Sequence, residues 1–163
     1  MIMFITLACL YDLLETDNEV FKTYAALCVS HIAQDRFDGS QVNLVLNVHG
    51  LMEKMIDLLD DEVTSISAST TIRHVIAGTD KQAQRALDLD ILPRLVHFFD
   101  STLLTSRKRR VIGWILSNVA AGTPSKIELL FGTEGISEIL FKIANSDECI
   151  VRCVRYTFFN ILF

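Results

Sequence analysis

The chain has 163 residues, a length that suits one domain. Half of it is hydrophobic and its mean hydropathy is +0.36, yet charges interrupt every run short of the ~18 consecutive apolar residues of a membrane span. A net charge of -5 disfavours nucleic acid and anionic membrane surfaces and favours basic partners, so no nucleic-acid or membrane partner is expected.

Residues 1–10 are apolar but lack a basic leading region and run directly into Tyr11-Asp12, so they are read as a buried helix and not as a secretory signal. Only two prolines occur, and few segments alternate with period two, which makes helix the default. Helices are expected over 7–14 and 17–34. The next unit reads as a short helix over 41–48, a break at Gly50, a second helix over 51–59, a turn at Asp60-Asp61 and a long helix over 62–77. After Gly78-Thr79-Asp80, where Thr or Asp can cap a helix, the order repeats: 81–89, punctuation at Asp90, then 91–99 with Pro93 in its first turn. A polar turn and a helix over 106–121, ended by Gly122, complete this unit. The last unit has 125–131, Gly135, 136–144 and 148–162.

The long helices carry a polar residue at one fixed place: His31, His74, Asn118 and Asn160, spaced by 43, 44 and 42 residues. Self-similarity with a period of ~40–47 residues is the signature of armadillo and HEAT solenoids, and three helices per unit favour armadillo. The expected fold is all-α, an α-α superhelix: a right-handed armadillo-repeat solenoid of about 3.5 repeats in a single domain over 1–163. Its repeats are placed at approximately 1–34 (partial), 35–77, 78–121 and 122–163. Repeat ends without a polar cap leave self-association open.

Catalysis has little support. No nucleophile elbow, phosphate-binding loop, zincin motif or paired Cys-x-x-Cys is present, and neither enzyme activity nor a cofactor is expected. Cys9, Cys28, Cys149 and Cys153 are scattered and read as reduced, buried thiols. His31 and His74 lack a third ligand for a metal and read as hydrogen-bond donors. Arg107-Lys108-Arg109-Arg110 matches a crude basic motif, or is a solvated first helical turn at which positive charge opposes the helix dipole.

Three phrases carry a family resemblance: Gly78-Thr79-Asp80-Lys81-Gln82-Ala83-Gln84, Ile91-Leu92-Pro93-Arg94-Leu95-Val96 and Trp114-Ile115-Leu116-Ser117-Asn118-Val119-Ala120-Ala121-Gly122. They resemble the repeat consensus of the importin-α family, armadillo adaptors for nuclear-localisation signals. The similarity is good over 57–122 and thin elsewhere, in the register of that family's C-terminal repeats. The resemblance implies that third helices line a groove for an extended basic peptide. It assigns Trp114 and Tyr156 as walls along which a peptide Lys or Arg stem lies, Asn118 and Asn160 as main-chain clamps, and Asp80 as the anion for a key cation. It also implies basic cargo, other transport factors as partners, and a place in cytoplasm and nucleus. The departures are Leu27 and Thr70 at the Trp place, His31 and His74 at the Asn place, and Val111 and Cys153 where the family carries a carboxylate. The alternative reading is an armadillo scaffold without signal binding.

Overall fold

The computed structural model describes residues 2–34, 39–100 and 105–145. Among them ten α-helices and one 3-10 turn follow one another and no strand occurs. They are α1 (Ile2–Leu14), α2 (Glu19–Ala33), α3 (Ser40–Asn47), α4 (Leu51–Asp57), the 3-10 turn Leu58–Asp60, α5 (Ser65–Ile76), α6 (Asp80–Leu87), α7 (Ile91–Asp100), α8 (Ser106–Ala120), α9 (Pro124–Gly132) and α10 (Ile136–Ala144). The order first, second, third helix appears as α3-α4-α5 and again as α6-α7-α8. In the same order α1 and α2 are a second and a third helix, and α9 and α10 a first and a second. The third helix expected over 148–162 lies outside the described residues.

Two compact units, Met1–Leu89 and Asp90–Phe163, divide the chain. In the first unit like packs on like: second helix α1 on second helix α4, third helix α2 on α5, first helix α3 on α6. Small residues on the third helices allow close approach, with Ala25, Ala26 and Ala33 buried on α2 and Ser67, Ala68 and Thr71 on α5. The α5 hydroxyls are satisfied locally: Thr71 Oγ1 donates to Ser67 O at 3.0 Å and Ser69 Oγ to Ile66 O at 3.1 Å. In the second unit α7 packs on α8 and α10, and α8 on α9 and α10. Its core is Phe98, Leu95, Ile112, Ile115, Leu116 and Ile139 with their neighbours.

Polar side chains bridge like helices of successive repeats. Gln82, 3% exposed on α6, is the main example. Its Oε1 accepts from Thr79 N at 2.8 Å while Thr79 Oγ1 accepts from Gln82 N at 3.4 Å, a closed capping box. Its Nε2 donates to Gly39 O at 2.8 Å and Asn43 Oδ1 at 2.9 Å, at the start of α3. At the other end of the pair Arg85 donates to Leu46 O at 2.6 Å and Asn47 Oδ1 at 2.9 Å, which satisfies an α3 C-terminal carbonyl. Second helices use an ion pair: Lys54 Nζ to Glu15 Oε1 at 2.9 Å in the first unit, Lys142 Nζ to Asp100 Oδ1 at 3.0 Å in the second.

A left-handed residue immediately precedes each of α4, α7 and α10: Gly50 (φ 77°), Asp90 (φ 53°) and Gly135 (φ 86°). This conformation turns the chain sharply into the second helix and costs a side-chain-bearing residue roughly 1–2 kcal/mol. At Gly135 a Cβ would also sit 2.7 Å from Val96 Cγ1.

Several expectations are corrected. Helix α1 begins at Ile2, and its first turn is exposed, with Ile2 82% exposed; only Leu7 and Leu14 of α1 are buried. Cys9 and Cys28 are exposed, because they fall on outward faces of α1 and α2; Cys149 and Cys153 lie outside the described residues. Helix α5 starts at Ser65 and not at 62, because Asp61 Oδ1 takes Val63 N (3.0 Å), Thr64 N (2.7 Å) and Thr64 Oγ1 (2.7 Å) and holds 62–64 as a turn.

Gln82→Ala strips three hydrogen bonds from a buried site and is expected to lower stability by about 2 kcal/mol in urea denaturation. Gly135→Ala should cost about 2 kcal/mol by strain and contact with Val96. Gly132→Ala, a helical glycine with nothing within 4 Å of the added Cβ, should be neutral or gain up to ~1 kcal/mol.

Candidate functional site

The exposed faces of the third helices are the candidate site, and α8 is the most informative. Thr105 caps it, its Oγ1 accepting from Lys108 N at 3.3 Å. Ile112, Ile115, Leu116, Val119 and Ala120 are buried. At 100° per residue this leaves Arg107, Arg110, Trp114 and Asn118 within one arc on the opposite side. Trp114 is 37% exposed, so its ring stands at the surface and is not sealed in the core. Asn118 is half-buried one turn later and its Nδ2 donates to Trp114 O at 2.8 Å. The structure therefore brings Trp114 and Asn118 together on one face, with half of the Asn118 amide engaged by its own helix.

The other expected residues fall elsewhere. Tyr156 and Asn160 lie outside the described residues. Asp80 belongs to the first unit, exposed, as the first residue of α6. The cap of α6 is Thr79; Asp80 adds a negative charge in the first turn, where the helix dipole favours one.

The faces of the first unit differ in chemistry. On α2 the places of Trp114 and Asn118 hold Leu27 and His31, both exposed beside Tyr24, which is 63% exposed. On α5 they hold Thr70 and His74, both half-buried. Thr70 Oγ1 donates to Ile66 O at 2.6 Å. Arg73 Nη2 lies 3.0 Å from His74 Nε2. A guanidinium only donates, so Nε2 is an acceptor here and the donor of the neutral ring is Nδ1. Burial, followed by the charge of Arg73, pushes the His74 pKa down from 6.5 to about 4, so the ring is neutral at pH 7. Burial pushes the Asp61 carboxyl up, but the hydrogen bonds from Thr64 and Val63 and the charge of Lys22 outweigh it and leave its pKa lowered.

The basic run at the start of α8 is only partly a solvated turn. Arg107 and Arg110 are exposed, whereas Lys108 is buried with Nζ 5.5 Å from the centre of the Phe98 ring. That Arg107 and Arg110 share a face with Trp114 was present in the spacing i, i+3, i+7 but was not drawn from it. No group of three or more His, Cys, Asp or Glu side chains that could hold a metal occurs among the described residues, and no described helix is long and apolar enough to cross a membrane.

This geometry is that of the armadillo-repeat fold, and the chain has that fold. It is similar to a computationally designed armadillo repeat protein for modular peptide recognition (TM-score 0.85, 23% identity, 95% of this chain and 64% of that chain). It is also similar to a designed armadillo repeat protein solved in complex with the peptide (KR)4 (TM-score 0.83, 21% identity, 94% of this chain and 63% of that one). In sequence it is similar to importin subunit alpha-1a of Oryza sativa subsp. japonica, 27% identical over 124 residues. That match covers 75% of this chain and 23% of the relative, so the chain spans under a quarter of the relative's length. The repeats are divergent and importin-α-like. No family model matches the chain.

The protonation equilibria predict acid sensitivity. The unfolded His74 binds a proton near 6.5 and the folded one only near 4, so the unfolded state takes up more protons and stability falls as pH drops through this window. Asp61, lowered from 3.8, adds a loss in the same direction at still lower pH. A two-dimensional NMR titration of the imidazole should give a midpoint near 4, and His74→Gln should flatten the stability change between pH 6.5 and 4. A midpoint above 6 would contradict the buried, Arg73-bonded ring.

Proposed function

We propose that this chain is a recognition scaffold for extended peptides, which it holds along the exposed faces of its third helices, and that its ligands are basic segments of the nuclear-localisation type. The observation that carries the reading is the Trp114–Asn118 pair, an exposed indole one turn before an amide on the third helix of an importin-α-like repeat. The indole offers a flat apolar wall to the aliphatic stem of a peptide Lys or Arg and cation–π attraction to its charge, ~0.5–2 kcal/mol. The Asn118 Oδ1 can accept from a peptide N–H, and releasing Nδ2 from Trp114 O would let it donate to a peptide carbonyl. Such main-chain bonds hold an extended strand without reading its sequence. The importin-α resemblance proposes a ligand carboxylate at Asp80 as well, at the exposed start of α6 in the first unit. The (KR)4 ligand of a structural relative agrees with basic-peptide chemistry on this fold. On this reading the protein works as an adaptor in nuclear import, between cytoplasm and nucleus.

A second reading is an armadillo scaffold whose third-helix faces no longer bind signals. Leu27 and His31 on α2, and Thr70 and His74 on α5, favour it, because neither face presents the Trp–Asn pair. Titration of a fluorescein-labelled lysine-rich signal peptide, followed by anisotropy, separates the two. Under the first reading binding weakens with salt, and Trp114→Ala raises the Kd about tenfold. No binding at high micromolar concentration by a folded protein would leave the second reading.

A further inference from the structure

Among the described third helices, only α8 carries cations at the two places one and two turns before that of Trp114. In the register that aligns Trp114 with Thr70 and Leu27, the place of Arg107 is held by Val63 before α5 and Val20 in α2, and the place of Arg110 by Ile66 and Thr23. The arginines are therefore no general requirement of the repeat. They also oppose local stability, because the first turn of α8 contains no acidic residue to match its dipole. Their two neighbours in the run are placed differently: Lys108 is buried over Phe98, and Arg109 is half-buried with its Nε lacking a hydrogen-bond partner. Arg107 and Arg110 alone project into solvent, and neither is in an ion pair with a described residue.

Their spacing relates them to the peptide face. At ~1.5 Å per residue, Arg110 lies about 6 Å and Arg107 about 10 Å along the axis from Trp114, in the same arc. An extended peptide crossing at Trp114 places alternate side chains on opposite sides of its backbone, so one set would point toward the N-terminal end of α8. A basic side chain there would meet two guanidinium groups, and a carboxylate would find two forked donors. The geometry points to a two-signed ligand: a segment whose basic residue stacks at Trp114 and whose acidic residues, on the α8 N-terminal side, pair with Arg110 and Arg107. This inference rests on the peptide-binding reading above and adds to it the requirement for acidic residues in the ligand.

The test uses three labelled peptides with the same lysine core, flanked by two alanines, two glutamates or two lysines on each side, at low salt, against the full chain. The glutamate-flanked peptide is expected to bind about fivefold more tightly than the alanine-flanked one, and the lysine-flanked one about fivefold more weakly. Arg107→Glu/Arg110→Glu should reverse that order. The double variant removes cations from a helix N-terminus, so folding should survive, and circular dichroism checks it. Arg107→Gln/Arg110→Gln, which keeps polarity and removes charge, should make the three affinities equal. Equal affinities on the unmodified chain would overturn the two-signed ligand and leave peptide binding intact. Failure of all three peptides to bind would overturn the two-signed ligand together with the peptide-binding reading it rests on.

Discussion

A helix of this chain buries its apolar surface partly within its own repeat and partly, in the first unit, against the like helix of the next, and this second demand shapes much of the structure. The Gln82 side chain shows how it is met. A single amide closes the first turn of α6 and ties that turn to the start of the preceding first helix, α3. The bond across 43 residues runs from the first turn of one first helix to the N-cap residue of the preceding one, so capping and stacking are one event. The Lys54–Glu15 and Lys142–Asp100 pairs bridge second helices with the same logic, though at exposed positions where each contributes little. Within each unit, stability is thereby spread over contacts between helices of neighbouring repeats.

The third helices answer to two demands that separate along their surface. Inward positions are small or aliphatic, because helix must approach helix. Outward positions are exposed or half-buried, and there the chain differs from repeat to repeat: Tyr24, Leu27 and His31 on α2, Thr70 and His74 on α5, Trp114 and Asn118 flanked by arginines on α8. A shared scaffold thus presents a different chemistry on each helix. The fold itself is kept at low sequence identity to the designed armadillo proteins.

The helical rhythm was legible in the sequence because apolar spacing and punctuation at Gly50, Asp90 and Gly135 reflect the same geometry that the structure shows. Helix α10 matches its expected span, and α7 and α8 do so to within a residue. The start of α5 was missed because a side-chain turn at Asp61 competes with helix, and apolar periodicity does not register such turns. The exposure of Cys9 and Cys28 was missed for a related reason: residue type ranks burial only on average, and these two sit on outward arcs. At the site, the shared face of Trp114 and Asn118 followed from their spacing. The bond from Asn118 to Trp114 O and the acceptor role of His74 depend on rotamers and neighbours that spacing does not encode.

Trp114 is the single tryptophan of the chain, and more than a third of its surface is open. Intrinsic fluorescence of this protein is therefore an optical window on one helix face, uncontaminated by a second indole. Anything that settles on that face must exclude water from the indole, moving its emission toward the blue and shielding it from iodide or acrylamide. A ligand that leaves that face open would leave the indole accessible to the quencher, so the protein reports by itself whether this face is occupied.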